Sequence, residues 1–186
     1  MEVKKIWTNL NIKYNTIECE NNDFLMRHNR IYTNVVLHAI NNEVNILCDV
    51  CNDGHESFLH YFLDCVDLVD FFVFIKALLV EHWSWGFDLE DGWRPLFLFG
   101  VFAKSKKANL CLINFVLSHA RYAVVLRRNF AHFEGRKVKI KPLFKSLMKR
   151  SIGLLWTYGG VGVKSFFVNG NTLISEGEGG KMVFNW

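Results

Sequence analysis

A chain of 186 residues and 21.7 kDa holds one ordinary domain or two small ones, which excludes a polymerase. Its 51% hydrophobic and 15% aromatic content, against 22% charged residues, builds a core and excludes a mainly disordered protein. The net charge of +4 conceals a dipole along the chain: residues 1–100 carry 7 Lys/Arg and 15 Asp/Glu, whereas residues 101–186 carry 15 and 3. With 17 Phe and only 2 Pro the chain has bulky apolar residues and few rigid breaks, so a mainly α fold is expected, with strands in the minority.

In chain order, residues 1–45 read as helical with polar breaks. Asn21-Asn22-Asp23 resembles a capping sequence, Phe24, Leu25, Ile31, Val35, Val36 and Leu37 keep a rough helical spacing, and Asn41-Asn42 closes the segment. No signal peptide is legible in Met1–Leu10, so the expectation is an intracellular protein, nuclear or cytoplasmic and not secreted. A cysteine and histidine cluster follows, then an apolar stretch from Phe58 to Trp83. No stretch reads as a membrane span, because Leu68–Val80 is interrupted by Asp70 and Lys76 and falls short of the roughly 20 residues required. Ser84–Pro95 crowds turn formers and is taken as a joint between an acidic helical region, 1–85, and a basic helical region, 96–155. Within the latter, Ala108–Asn129 and Lys139–Leu155 show long helical patterns, with Pro142 suited to a first turn and Leu143, Leu147 and Leu155 expected to face inward. Residues 156–186 form a Gly-rich tail in which helix is not expected. There a short hairpin is read over Phe166–Ile174, turning at Asn169-Gly170-Asn171. Gly159-Gly160-Val161-Gly162 has neither the lysine of a phosphate loop nor the spacing of a dinucleotide fingerprint.

The residues that speak of chemistry are Cys48, Cys51, His60 and Cys65, spaced Cys-x2-Cys-x8-His-x4-Cys. A tight knuckle supplies two thiolates and the next element returns an imidazole and a third thiolate, which is the donor set of a closed, structural Zn2+ site. On a regular helix His60 and Cys65 would stand about 140° apart in azimuth. His60 is therefore expected on a helix starting near Glu56, with Cys65 where that helix ends or is distorted. His55 competes with His60 as the nitrogen ligand, and the bland alternative makes all of these buried bystanders. His55-Glu56 does not start a metalloprotease helix, since the second histidine comes five residues on and not four. Cys19 and Cys111 read as core thiols. No carboxylate pair, activated nucleophile or phosphate loop emerges, so no enzyme is expected.

The segment from Cys48 through Gly54, Glu56, His60 and Phe62 to Cys65 resembles the zinc-binding region that follows the reverse transcriptase in LINE-type (non-LTR) retrotransposons. Ile6-Trp7, Phe24-Leu25, His28, Thr33 and Leu37 resemble the family's helical lead-in. Leu96–Gly100, Arg121-Tyr122-Ala123 and Arg127-Arg128-Asn129 resemble the tail of vertebrate members. The likeness spans roughly residues 5–130 and departs from the family at Met26, Val66 and Phe71-Phe72, where packing residues differ. It implies a detached C-terminal module without the polymerase core, working near RNA or DNA beside the rest of a retroelement polyprotein.

Between Arg121 and Arg150 ten Lys/Arg face the single Glu134. Arg127, Arg128, Lys137, Lys139, Lys141, Lys145 and Lys149 are accordingly the candidate nucleic-acid contacts, with phosphates as partners and no membrane. Two alternatives stand beside this reading. The basic residues can pair with the acidic half, on Asp64, Asp67, Asp70, Asp88, Glu90 or Asp91, and the zinc module can be purely structural or protein-binding, or a remnant without selected function. Tyr122, Phe130, Phe133 and Phe144 could stack on bases, but at helical spacing they read first as core.

Overall fold

A computed structural model describes residues 12, 14–83, 89–101, 108–168 and 171–186, with backbone only for 89–91 and 108–109. The fold is mostly helical. Helices α1 (Ile17–Arg27) and α2 (Asn34–Ile40) come first, followed by a π-helical turn (His60–Asp64) and a 3-10 turn (Val66–Leu68). Then come α3 (Val69–Trp83), α4 (Leu89–Phe99), α5 (Ala108–Glu134), α6 (Ile140–Tyr158) and α7 (Gly160–Val168). A two-stranded antiparallel hairpin, β1 (Ile174–Glu176) with β2 (Met182–Phe184), closes the chain.

Thr16 and not the Asn21-Asn22-Asp23 triplet caps α1, its hydroxyl accepting from the Cys19 N–H; the triplet lies inside the helix, where Asn22 and Asp23 are buried. Thr33 caps α2 in the same way through the Val36 N–H. Of the joint expected over Ser84–Pro95, residues 84–88 lie outside the description and 89–95 are helical, the start of α4. Turn-forming composition loses there to packing. Trp93 and Phe97, four apart, bury on Phe72 with ring centroids 5.4 and 5.1 Å away, and the tertiary contacts hold the helix through Pro95. Ile6 and Trp7 of the lead-in fall outside the described residues.

α5 is the axis of the core. Leu112, Phe115, Val116, Leu117, Ala120 and Ala123 are all fully buried, and one apolar cluster runs from Ile12 to Ile174 across the change of charge. By length and composition α5 could cross a membrane, a property the sequence reading missed; 72% of its apolar window is buried inside the protein, as in a core helix. α6 presents Ile140, Phe144, Met148, Ile152 and Trp156 to the core, and Leu143, Leu147 and Leu155, expected as the inner ridge, lie only partly buried on its flank. Two apolar ridges run side by side on this helix, and the bulkier aromatic one takes the centre.

The tail departs most from expectation. Phe166–Val168 belong to α7, because Val163 and Phe167, one turn apart, insert into the core and Phe167 meets Phe115 edge-on at 5.3 Å. Gly160 has φ +70°, a left-handed residue that breaks α6 from α7. Asn169 and Gly170 lie outside the described residues; the hairpin forms further on, pairing Ile174 with Phe184 and Glu176 with Met182. The terminal Trp186 stacks on Phe184 and meets Phe144 edge-on.

Candidate metal centre and the basic residues around it

Residues 46–56 fold into a narrow loop whose sides are tied by the Cys48 N–H on the Gly54 carbonyl and the Glu56 N–H on the Ile46 carbonyl, both 2.8 Å. Asn52, at φ +57°, turns the knuckle, and its N–H closes on the Cys48 carbonyl at 2.8 Å. Helix begins at Phe58 and widens at once. The Cys65 N–H reaches the His60 carbonyl at 3.0 Å, an i→i+5 bond that sets Cys65 one turn above His60. That distortion removes the azimuthal mismatch a regular helix would impose.

As a result Cys48 Sγ, Cys51 Sγ, Cys65 Sγ and one ring nitrogen of His60 all lie within 4.8 Å of one another, with Cys51 Sγ 3.3 Å from His60 Nε2. Around a tetrahedral ion with sulfurs at about 2.3 Å, ligand atoms stand about 3.8 Å apart, so the donor set and its spacing are compatible with a metal such as zinc. Gly54 is what admits the imidazole: a Cβ there would stand 2.7 Å from His60 Cε1. His55 is exposed and outside the cluster.

Backbone N–H groups point at the sulfurs, from Val50 and Cys51 to Cys48, from Asp53 to Cys51 and from Asp67 to Cys65. They favour thiolate over thiol. The hydrogen bond between Cys48 and Cys65 lowers Cys65 and, with burial, raises Cys48; burial raises Cys51. Arg127 donates from Nη2 to Cys65 Sγ at 3.6 Å and from Nη1 to the Asp67 carbonyl at 3.2 Å. A guanidinium therefore sits against the candidate metal site.

A second layer was not legible in the sequence. Glu56 is fully buried, and its Oε1 accepts from the Asn34 backbone N–H at 3.0 Å and from the Arg128 guanidinium at 3.0 to 3.1 Å. Arg128 Nη2 also donates to Asn34 Oδ1, and the Asn34 amide donates to Asp49 Oδ2 within the knuckle, where His132 Nδ1 lies 2.8 Å away. Three elements, the knuckle, α2 and α5, thus share one polar network. The only trace in the sequence is Glu56 itself, an acidic residue beside an apolar stretch.

The proposed phosphate contacts divide. Arg127 and Arg128 are 4% and 5% exposed with their guanidiniums engaged, and so are withdrawn from any phosphate surface; the reason is their pairing with the knuckle. Arg121 is further inside, bidentate to Asp23 at 2.7 and 2.8 Å with both side chains fully buried. Lys137, Lys139 and Lys149 are exposed and Lys141 and Lys145 half-exposed, and among the described residues no carboxylate lies within ion-pair distance of any of them. Lys145 Nζ rests over the rings of Phe74 and Trp186 at 5.4 and 5.2 Å. Asp64 pairs instead with Arg94 at 2.7 Å. Of the four aromatics, Phe144 is core and Phe133 is 73% exposed. Compared with protein-family models, curated proteins and solved structures, the chain matches none of them.

Proposed function

We propose that the protein is a zinc-stabilised module that binds the backbone of RNA or DNA through the lysine face of α6, as the C-terminal part of a LINE-type reverse transcriptase protein would. Convergence of three thiols and one imidazole carries the metal half of this reading. Zn2+ is the ion this donor set suits, and four protein ligands leave no position for a reacting water, so its role is structural. The polyanion half is supported by the division of the basic residues: Arg121, Arg127 and Arg128 are spent inside, while Lys137, Lys139 and Lys149 are exposed and Lys141 and Lys145 half-exposed. The likeness in the Cys48–Cys65 segment adds the retroelement context.

Metal analysis of the purified protein combined with fluorescence anisotropy on a single-stranded RNA and a duplex DNA tests it. About one zinc per chain, and an affinity that falls with salt by a log–log slope of roughly 0.7 to 0.9 per phosphate, are expected. His60→Ala should release the metal and His55→Ala should not. A protein that holds zinc but binds neither nucleic acid at low salt would leave the second reading, a protein-binding zinc module. That reading has its own observation: Val66, Val69, Val73 and Val80 line one side of the α3 region and are 48 to 62% exposed.

A further inference from the structure

The sulfurs of the cluster are placed for redox chemistry as well as for a metal. Cys48 Sγ, Cys51 Sγ and Cys65 Sγ lie within 4.8 Å of one another, and all three cysteines are free. They differ in access. Cys48 and Cys65 are 2% and 1% exposed, while Cys51, next to the exposed Asn52 and Asp53, is only half-buried. A small oxidant arriving from solvent therefore meets Cys51 first. They differ in attachment too. Cys65 follows the π-helical turn, where its N–H is tied to the His60 carbonyl and its sulfur accepts from Arg127 Nη2. Cys48 stands three residues from Cys51 in one loop, so these two sulfurs can close a small ring without moving a helix. Between them lie Asp49 and Val50, which couple the knuckle to the basic half of the chain. Asp49 Oδ2 accepts from Asn34 Nδ2 at 2.9 Å and lies 2.8 Å from His132 Nδ1. Val50 is 5% exposed and shares the wall of a cavity of about 480 Å3 with Arg127, Lys137 and Lys139.

We propose that Cys51 and Cys48 form a peroxide-responsive disulfide that displaces the metal and resets the Asp49-Val50 link. The inference rests on the reading of the cluster as a zinc site, since coordination to Zn2+ holds the sulfurs as thiolates, the nucleophilic form. Cys51 Sγ attacks one oxygen of hydrogen peroxide, and an S–O bond forms as the O–O bond breaks. The departing hydroxide takes a solvent proton and leaves as water, with Cys51 now a sulfenic acid. Cys48 Sγ then displaces hydroxide from that sulfur, closing the S–S bond, and a second solvent proton turns this hydroxide into the second water. Two electrons have passed from the two sulfurs to one peroxide. Cys65 and His60 are left as half a ligand set, too few to retain Zn2+.

The test treats the zinc-loaded full chain, analysed for metal at the outset, with a small excess of hydrogen peroxide. About one zinc per chain should pass to a chromogenic chelator as about two thiols are lost. Differential alkylation with mass mapping should place the oxidised pair at Cys48 and Cys51 and find Cys65 free. Dithiothreitol with added zinc should restore both thiols and the metal. Hydrogen exchange adds a readout that chelation does not reproduce: residues 46–56 should be better protected in the oxidised, metal-free chain than in the reduced chain stripped by EDTA, because the crosslink restrains the knuckle. Zinc retained under peroxide, zinc lost with Cys48 and Cys51 unlinked, or a disulfide that includes Cys65 would overturn the proposal. Cys51→His offers a fourth ligand in place of the thiol and removes the pair, so it should hold zinc through the same treatment. If that variant does not fold, the pair mapped in the parent chain carries the test. A chain with no zinc at the outset loses the metal reading and this proposal with it, whereas a zinc-loaded chain that forms no Cys48–Cys51 disulfide loses this proposal alone. Neither result depends on the lysine face.

Discussion

The arginines of α5 and the lysines that lead into and lie on α6 belong to one basic cluster in the sequence, yet the fold treats them oppositely. Arg121, Arg127 and Arg128 lie inside, each donating to at least two acceptors contributed by the front half of the chain. Lys137, Lys139 and Lys149 remain in water. The chemistry of the two cations explains the division. A planar guanidinium is weakly hydrated and fits a carboxylate with two bonds, so it can be buried with its partners, while a compact ammonium holds its water and keeps only its stem against the protein. Lys145 does this on Phe74 and Trp186. The acidic front and basic back of the chain therefore attract each other in part, through the arginines, and the lysine surplus is what stays available to a partner.

The sharpest way to break the comparison is to take away what Arg127 and Arg128 dock on. With Zn2+ bound as proposed, chelating it, or Cys51→Ser, should unfold residues 46–65 and strand both guanidiniums, because metal affinity is folding free energy in such sites and amounts to about 10 to 16 kcal/mol in zinc-finger peptides. Hydrogen exchange should show amide protection lost across the knuckle and reduced in the last turns of α5, with α6 unaffected. Uniform protection after chelation would mean that the arginine network stands without metal.

Next in size is the pair at the centre. Asp23→Ala leaves Arg121 charged and unpaired at zero exposure, and should cost about 3 to 5 kcal/mol in urea unfolding. Asp23→Leu combined with Arg121→Met should recover most of that loss, since an apolar pair of similar volume needs no partners. A double variant as unstable as the single one would show that the pair does more than satisfy itself.

How far these contrasts were legible follows from their range along the chain. The four residues of the candidate metal cluster fall within eighteen residues, and the spacing between His60 and Cys65 is itself incompatible with a regular helix, so both the cluster and its distorted turn could be read. Arg121 and Asp23 are 98 positions apart, and Arg128 and Glu56 are 72 apart. Nothing local distinguishes an arginine with such a partner from one without. The tail failed for a related reason: glycine counts argue against helix, but Val163 and Phe167 gain burial only if α7 forms, and that gain belongs to the core they enter. The hairpin was expected near the right place with the wrong strands, since Ile174 and the Met182–Phe184 strand supply a pairing that Phe166–Val168, drawn into helix, cannot.

A pH titration sharpens the picture of the buried polar layer. His119 is lowered from its ordinary value of 6.5 to about 4, chiefly by burial and against the pull of Asp23 and its hydrogen bond to Phe115. The unfolded chain therefore binds a proton that the folded one does not between those two values, and stability falls as pH drops through that window, by about 3 kcal/mol in all. Above pH 6.5 the contribution is flat. His119→Leu, compared with the parent by urea unfolding at pH 7 and pH 5, should show the smaller difference between the two. An equal difference would place the acid sensitivity elsewhere, on the cysteines or the carboxylates.

The smallest effect on the fold is expected where the functional effect is largest. Lys145→Glu with Lys149→Glu alters two side chains whose ammonium groups have no carboxylate partner among the described residues, so stability should move by no more than about 0.5 kcal/mol beyond the loss of ring contacts at Lys145. If the lysine face holds a phosphate backbone, the same change should weaken RNA and DNA alike, because such contacts position a strand without reading it. It should also reduce the magnitude of the salt slope by roughly 0.7 to 0.9 for each contact removed. Arg128→Lys makes the opposite case: it keeps the charge, should lower stability by about 1 to 3 kcal/mol through the lost fork to Glu56 and Asn34, and should leave the salt slope alone. A lysine reversal that destabilises the protein and spares binding, beside an arginine variant that does the reverse, would exchange the roles of the two helices.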